Sequence, residues 1–240
     1  MADSTKAGLV FDQAGFRSYI NAFLLYSTNK IMKETISRAI HHRYFNYLSS
    51  AVLVTLYLNF IFNHVTAIRE GGISPAVLIF LAMETTVVVL LILRGNPQKR
   101  ATTFLPWFFA LAGTFLPLAL SPNGTTSNPL AGDVLVLLGG SLAIAAYLSL
   151  NTSHGTTPAL RKVKTKGMYA FIRHPMYFSY IVLFVGYLNL SMSPINLAII
   201  LTTTFCLTQR IYFEEQILKH SPEYVAYMKE VKYRLIPFVY

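Results

Sequence analysis

Residues 173–177 read Arg-His-Pro-Met-Tyr and open a long apolar run, and Glu214-Glu215 stand where that run ends. Between Tyr177 and Glu214 the only formal charge is Arg210. A run this apolar reads as membrane, and it is too long for the ~20 residues of one crossing. Ser193-Pro194-Ile195-Asn196 lies in its middle, where proline favours a turn. The run is therefore expected to be a helical hairpin with spans at about 177–192 and 195–212. Folding it back brings an Arg-His pair and two carboxylates together at one edge of the bilayer.

Composition agrees with a membrane setting. Of the 240 residues 54% are hydrophobic and 12% charged, and mean hydropathy is +0.48. Soluble domains carry about 25% charged residues, so the chain has about half the charge needed to cover a water-facing surface. No secretory signal peptide is expected, because the first 45 residues lack a continuous apolar run and contain Asp3, Asp12 and Glu34. Cys206 is the only cysteine, which excludes an intrachain disulfide and a cysteine-based zinc site. No metal site is expected.

The chain divides into three parts. Residues 1–45 are expected to form an amphipathic interfacial segment, with an ordinary packed helix of the bundle as the alternative. Phe16, Ile20, Phe23, Leu24 and Ile31 recur at roughly helical spacing, with Arg17, Lys30, Lys33, Arg38 and Arg43 between them. Residues 46–150 hold four expected spans, at about 46–63, 76–93, 104–120 and 134–150. The second contains Glu84, which is costly in lipid and should face the bundle interior. Residues 151–240 carry the hairpin and a tail. The fold class is all-α, a polytopic membrane helical bundle of about six spans.

Under this scheme nineteen of the 20 Lys and Arg residues fall on one side, with only Arg69 on the other. By the positive-inside rule both termini and the Arg173 region are expected to be cytoplasmic, in a bacterial inner membrane or the endoplasmic reticulum. The same asymmetry accounts for the net charge of +10 without a nucleic-acid partner. The expected partners are the lipid bilayer and a lipophilic substrate, with no obligatory protein partner.

The segment Val163-Lys-Thr-Lys-Gly-Met-Tyr-Ala-Phe-Ile-Arg-His-Pro-Met-Tyr177 resembles the cofactor segment of the isoprenylcysteine carboxyl methyltransferase and phospholipid methyltransferase superfamily. That pattern is Arg-His-Pro-x-Tyr-x-Gly, an apolar hairpin, then Glu-Glu. The tail continues the likeness with Tyr224, Tyr227 and Tyr233-Arg-Leu-Ile-Pro237. Ser179 stands where the family usually has Gly. The resemblance implies S-adenosylmethionine as methyl donor, bound without a Rossmann domain, and no Gly-x-Gly-x-x-Gly occurs in the chain. It implies cofactor contacts from Gly167, Tyr169, His174, Pro175, Tyr177, Glu214 and Glu215, with Arg173 and Glu214 as catalytic residues. The chemistry is consistent with those roles. A carboxylate accepts hydrogen bonds from the ribose diol or the ammonium. Arg173 and His174 suit a carboxylate, Pro175 fixes the local backbone, and the tyrosines offer aromatic faces to a cation or adenine.

Two other readings stay open. Membrane sterol and steroid reductases resemble the chain in an Arg-His-Pro-x-Tyr-like segment and a Tyr-Arg-x-Ile-Pro tail, and use NADPH. A membrane scaffold without catalysis is the third. The acceptor is open among a prenylcysteine carboxylate, a phospholipid amine and similar lipids.

The charge asymmetry makes a direct prediction. On a Cys206→Ser background, Lys164→Cys should react with a membrane-impermeant thiol reagent only after cells are opened. Labelling from outside intact cells would overturn the orientation.

Overall fold

The computed structural model describes residues 43–71, 74–236 and 239. The amphipathic segment expected over 1–45 lies outside the described residues as far as residue 42. Seven α-helices follow in order among the described residues: α1 (Arg43–Gly71), α2 (Pro75–Leu93), α3 (Phe104–Phe115), α4 (Pro129–Leu150), α5 (Pro175–Leu190), α6 (Pro194–Leu218) and α7 (Pro222–Glu230).

Five of these helices owe a sharp start, and α3 a sharp end, to simple chemistry. Proline occupies the first position of α2, α4, α5, α6 and α7, where its missing N–H has no intrahelical partner to lose. At three starts a polar side chain caps as well. Ser74 Oγ accepts from Val77 N at 3.2 Å, Asn128 Oδ1 from Ala131 N at 3.0 Å, and Ser193 Oγ from Asn196 N at 3.1 Å. The third expected span, 104–120, is not one α-helix. Pro117 cannot continue the ladder, so α3 stops at Phe115 and Leu116–Ala119 tighten into a 3₁₀ turn.

Among the described residues, three helical stretches are long and apolar enough to cross a membrane: Tyr44–Thr66, Pro75–Leu93 and Pro129–Ser153. Phe104–Ala119 and Pro175–Leu190 are apolar but shorter. The six-span scheme is thus met at full length by three segments. α6 carries Arg210, Glu214 and Glu215 in its second half, which dilutes its apolar character.

The expected closed hairpin is also modified. α5 packs along α4, while α6 packs against α3, and each makes less contact with the other than with these neighbours. Small residues let α4 and α5 approach backbone to backbone. A Cβ at Gly139 would lie 2.6 Å from Leu183 N, and one at Gly186 would lie 2.7 Å from Val136 N. At the turn between α5 and α6, Thr125 and Met192 exchange backbone hydrogen bonds of 2.8 Å. Buried Asn196 donates to the carbonyls of Ser121 and Ser191, each at 2.8 Å. That end of the bundle is therefore locked. At the other end a two-stranded antiparallel sheet, β1 (Lys99–Arg100) with β2 (Ala159–Leu160), joins the loop after α2 to the loop after α4.

The glycine contact gives a test. Gly139→Leu should cost about 1–3 kcal/mol or more through overpacking against the α5 backbone. A lower thermal midpoint and loss of a single elution peak in detergent would register it, whereas Leu138→Ala, at a half-exposed position beside it, should be near neutral.

Candidate functional site

The Arg-His-Pro segment sits where the 3₁₀ turn Gly167–Ala170 hands over to α5. Gly167 has φ +65°, and a Cβ there would meet Ser149 Oγ at 2.5 Å, so this turn requires glycine. Ser149 Oγ in turn accepts from Met168 N at 3.3 Å, fixing the turn to the end of α4. Tyr227 of α7 donates its hydroxyl to the Tyr169 carbonyl at 2.6 Å. The tail docks on the segment through its backbone: Arg173 N donates to Tyr233 O at 3.0 Å and His174 N to Arg234 O at 2.8 Å.

Both members of the Arg-His pair and both carboxylates do converge, but the two glutamates do different things. Glu215 is 1% exposed. Its Oε1 accepts from Arg173 Nε at 2.9 Å, with His174 Nε2 and the Tyr224 hydroxyl each at 3.4 Å. Its Oε2 lies 3.1 Å from Arg234 Nε, close enough for an ion pair though not aligned for a hydrogen bond. Arg173 Nη1 also donates to the carbonyls of Val231 and Lys232, at 2.9 and 2.7 Å. Burial alone would raise the Glu215 carboxyl. Hydrogen bonds and charge from His174 and Arg173 outweigh burial and hold it down at about 2.

Glu214 instead reaches a cavity. Its Oε1 accepts from the Tyr177 hydroxyl at 2.7 Å and from Arg210 Nε at 3.0 Å. Its Oε2 lies 4.0 Å from His174 Nδ1 and keeps its accepting capacity. The cavity wall includes Arg161, Lys162, Lys164, Tyr169, Tyr177 and Glu214, and Arg173, His174 and Met176 also border it. It is polar on the loop 153–164 side. Pro175 and Ser179 are fully buried, and the Ser179 hydroxyl donates to Met176 O at 2.7 Å, so Ser fits where Gly is usual. No cluster of three or more His, Cys, Asp or Glu suited to a metal occurs among the described residues.

A second, apolar cavity of about 160 Å³ adjoins the first, and Met176 lines both. Phe80, Met83, Leu183 and Phe184 line it, with Tyr57, Tyr147, Tyr180, Glu84 and Arg210 as its polar members. Glu84 faces inward as expected and pairs with His64 at 3.0 Å. Arg210 is the hinge between the cavities. Besides Glu214 it donates to Thr114 Oγ1 at 3.1 Å and Gly155 O at 3.1 Å, and it lies 5.4 Å from the Tyr177 ring centre.

Sequence reasoning passed over His154 as a site residue. It is buried in the apolar cavity, and neither ring nitrogen has a partner. Burial, then the charges of Arg210, Arg161 and Arg94, push it down to about 3, so it is neutral at pH 7. The signal was faint: a lone His-Gly at the end of α4.

Residues 140–220, roughly a third of the chain, match the family model for the isoprenylcysteine carboxyl methyltransferase (ICMT) family. The matched stretch runs from mid-α4 through α6 and holds both glutamates, the Arg-His-Pro segment and Arg210. It supports the isoprenylcysteine carboxyl methyltransferase superfamily, and a membrane methyltransferase in general. No curated protein matches the chain.

The geometry predicts that the two glutamates separate on mutation. Glu215→Ala leaves the Arg173 charge buried without its carboxylate, which costs about 3–5 kcal/mol, and should abolish monodisperse folded protein. Glu214→Gln, which keeps an acceptor for Arg210 and the Tyr177 hydroxyl at the cavity wall, should elute and melt close to the parent. Acid titration of the parent provides a second check. The Glu215 carboxyl is depressed from 4.5, so its contribution is complete above that value and is lost as pH falls toward about 2. Thermal midpoints measured downward from pH 5 should fall across that window.

Proposed function

We propose that the chain is an integral membrane methyltransferase that uses S-adenosylmethionine to methylate a lipophilic acceptor. The observation that carries this reading is the Arg210–Glu214–Tyr177 bridge, which stands between a polar cavity and an apolar one. A reaction between a water-soluble donor and a lipid-soluble acceptor needs that kind of boundary.

The donor set of the polar cavity fits the cofactor. Glu214 Oε2 suits the hydrogen-bond donors of a ribose diol or an ammonium group. Arg161, Lys162 and Lys164 suit a carboxylate. The rings of Tyr169 and Tyr177 suit adenine or a sulfonium charge. When bound, the cofactor supplies an electrophilic methyl group on a cationic sulfur.

The chain's own residues then position and shield. Arg210 and Tyr177 hold the Glu214 carboxylate in one orientation. Glu215 keeps Arg173 and His174 fixed behind it, so the polar wall does not reorganise when ligands arrive. The apolar cavity seats the hydrophobic part of the acceptor, and neutral His154 offers a hydrogen bond to the acceptor's polar group. Proximity and alignment are the main source of acceleration for such a displacement. Exclusion of water by Phe80, Leu183 and Phe184 strengthens the electrostatics around the reacting atoms. The basic asymmetry supports a cytoplasmic site, where the soluble donor enters, while the acceptor arrives from the bilayer. A prenylcysteine-like carboxylate and a phospholipid amine both fit this description.

Calorimetry on the purified protein in nanodiscs should show micromolar-range binding of S-adenosylmethionine and none of NADPH. With methyl-labelled cofactor and native membranes, label should enter a lipid-soluble product. Glu214→Ala should weaken cofactor binding about ten- to a hundredfold, the worth of a hydrogen bond to a charged group. Saturable NADPH binding without adenosylmethionine binding would overturn the assignment.

A further inference from the structure

Among the 19 residues of α2 the only ionisable side chain is Glu84. The end of the helix, Leu93, lies about 14 Å further along its axis. A carboxyl group at that depth is expensive in a bilayer and by default marks a functional place.

The pair with His64 satisfies one of its oxygens. His64 Nδ1 lies 3.0 Å from Glu84 Oε2 and 3.1 Å from the Phe60 carbonyl. The carbonyl only accepts, so Nδ1 carries the hydrogen and shares it between the two. The His64 ring stacks on Phe80, with centroids 5.9 Å apart and planes 10° apart. Phe80 and Glu84 line the apolar cavity and His64 does not, so Oε2 is held from behind the wall. Oε1 has no hydrogen-bond partner among the described residues, and it is not sealed off. Phe80, Met83, Leu183 and Phe184, in the same cavity, offer it nothing polar in return.

His154 makes a matching demand at a second level. It is 4% exposed, lines the same cavity and has no partner at either ring nitrogen. Gly95 N donates to Thr152 O at 2.9 Å, which sets the His154 loop level with the end of α2. Arg210 borders the cavity as well and brings positive charge. The mostly apolar wall therefore carries unmet polar groups at two depths.

We propose that Glu84 selects the acceptor: the molecule that fits carries a hydroxyl in its apolar body, donating to Glu84 Oε1 while its reacting group stands level with His154 and Arg210. This rests on the reading of the apolar cavity as the acceptor seat. A plain hydrocarbon tail in the same place would shut Oε1 away from water with no partner, and that desolvation is the penalty. A site built around a substrate hydroxyl rejects the analogue lacking it more strongly than an apolar pocket rejects a missing methylene. A hydroxyl fits better than an ammonium, because a neutral group passes the apolar wall at far smaller cost. It also both donates and accepts, so it pairs with the carboxyl whether ionised or protonated. A prenyl or acyl body thus qualifies only in hydroxylated form. Glu84 takes no part in methyl transfer; it determines specificity.

Calorimetry on the parent in nanodiscs, without cofactor, compares decanoic, ω-hydroxydecanoic and ω-aminodecanoic acids, each corrected for partition into empty nanodiscs. The carboxylate of each probe suits Arg210, so the three differ only at the far end. The parent should bind the hydroxy probe about ten- to a hundredfold more tightly than decanoic acid, the worth of a hydrogen bond to a charged group. Glu84→Leu should abolish that preference. If Glu84→Leu does not fold, the comparison on the parent decides alone. A role confined to holding His64 would leave the parent without a preference. Equal binding of the hydroxy and plain probes by the parent, a preference kept by Glu84→Leu, or no binding of any probe would overturn the proposal. Tightest binding of the amino probe would assign Glu84 to a cation and overturn it as well. A hydroxyl preference in a parent that does not bind S-adenosylmethionine would support the hydroxyl seat and sink the methyltransferase reading. Cofactor binding without the preference would keep that reading and overturn the role of Glu84.

Discussion

A single buried carboxylate organises this end of the molecule. Glu215 draws Arg173 and His174 from the start of α5, Tyr224 from α7 and Arg234 from the tail toward the end of α6. Each ion taken from water carries a penalty of several kcal/mol, which one partner rarely offsets. Here Arg173 satisfies Glu215 and two tail carbonyls at once, so its donors are used as well as its charge. Such a cluster tolerates one arrangement and penalises the alternatives. The tail can dock only where Tyr233 and Arg234 present their carbonyls to the backbone of Arg173 and His174.

The neighbouring Glu214 shows how two identical residues diverge. Successive side chains on a helix point about 100° apart, so one turns into the protein and the other toward the cavities. Tyr177 and Arg210 both bind the same oxygen of Glu214, which orients the carboxylate and leaves the other oxygen available. The adjacency has a structural use: the inner glutamate holds the residues that would otherwise swing toward the outer one.

Much of this was legible. The charge-poor run with ionisable clusters at both ends led to the convergence of Arg173, His174, Glu214 and Glu215, because a chain that turns back must bring its ends to one level. The inward Glu84 was also accessible from residue type alone. Other features were not. α5 leans on α4 instead of α6 because Gly139 and Gly186 permit a closer backbone approach, a fact about two residues 47 positions apart in sequence. Two-residue strands have no periodicity to read, so the joining of residues 94–100 to 158–161 was invisible. His154 looked like an isolated polar residue; only packing gives it its place at the apolar cavity. The 3₁₀ turn at Leu116–Ala119, which replaces a full crossing, packs against α6, a contact that no local pattern announces.

The walls of the two cavities come from only partly overlapping stretches of chain. Every residue around the polar cavity lies between Leu150 and Tyr227. The apolar cavity takes Tyr57 from α1, Phe80, Met83, Glu84 and Val87 from α2, and Gly113 and Thr114 from α3. The first half of the molecule can therefore drift in sequence and reshape what fits beside Met176 while the machinery around Glu214 stays intact. On the proposed function, what fits in the apolar cavity is set in part by α1 to α3, stretches that contribute nothing to the wall of the polar one.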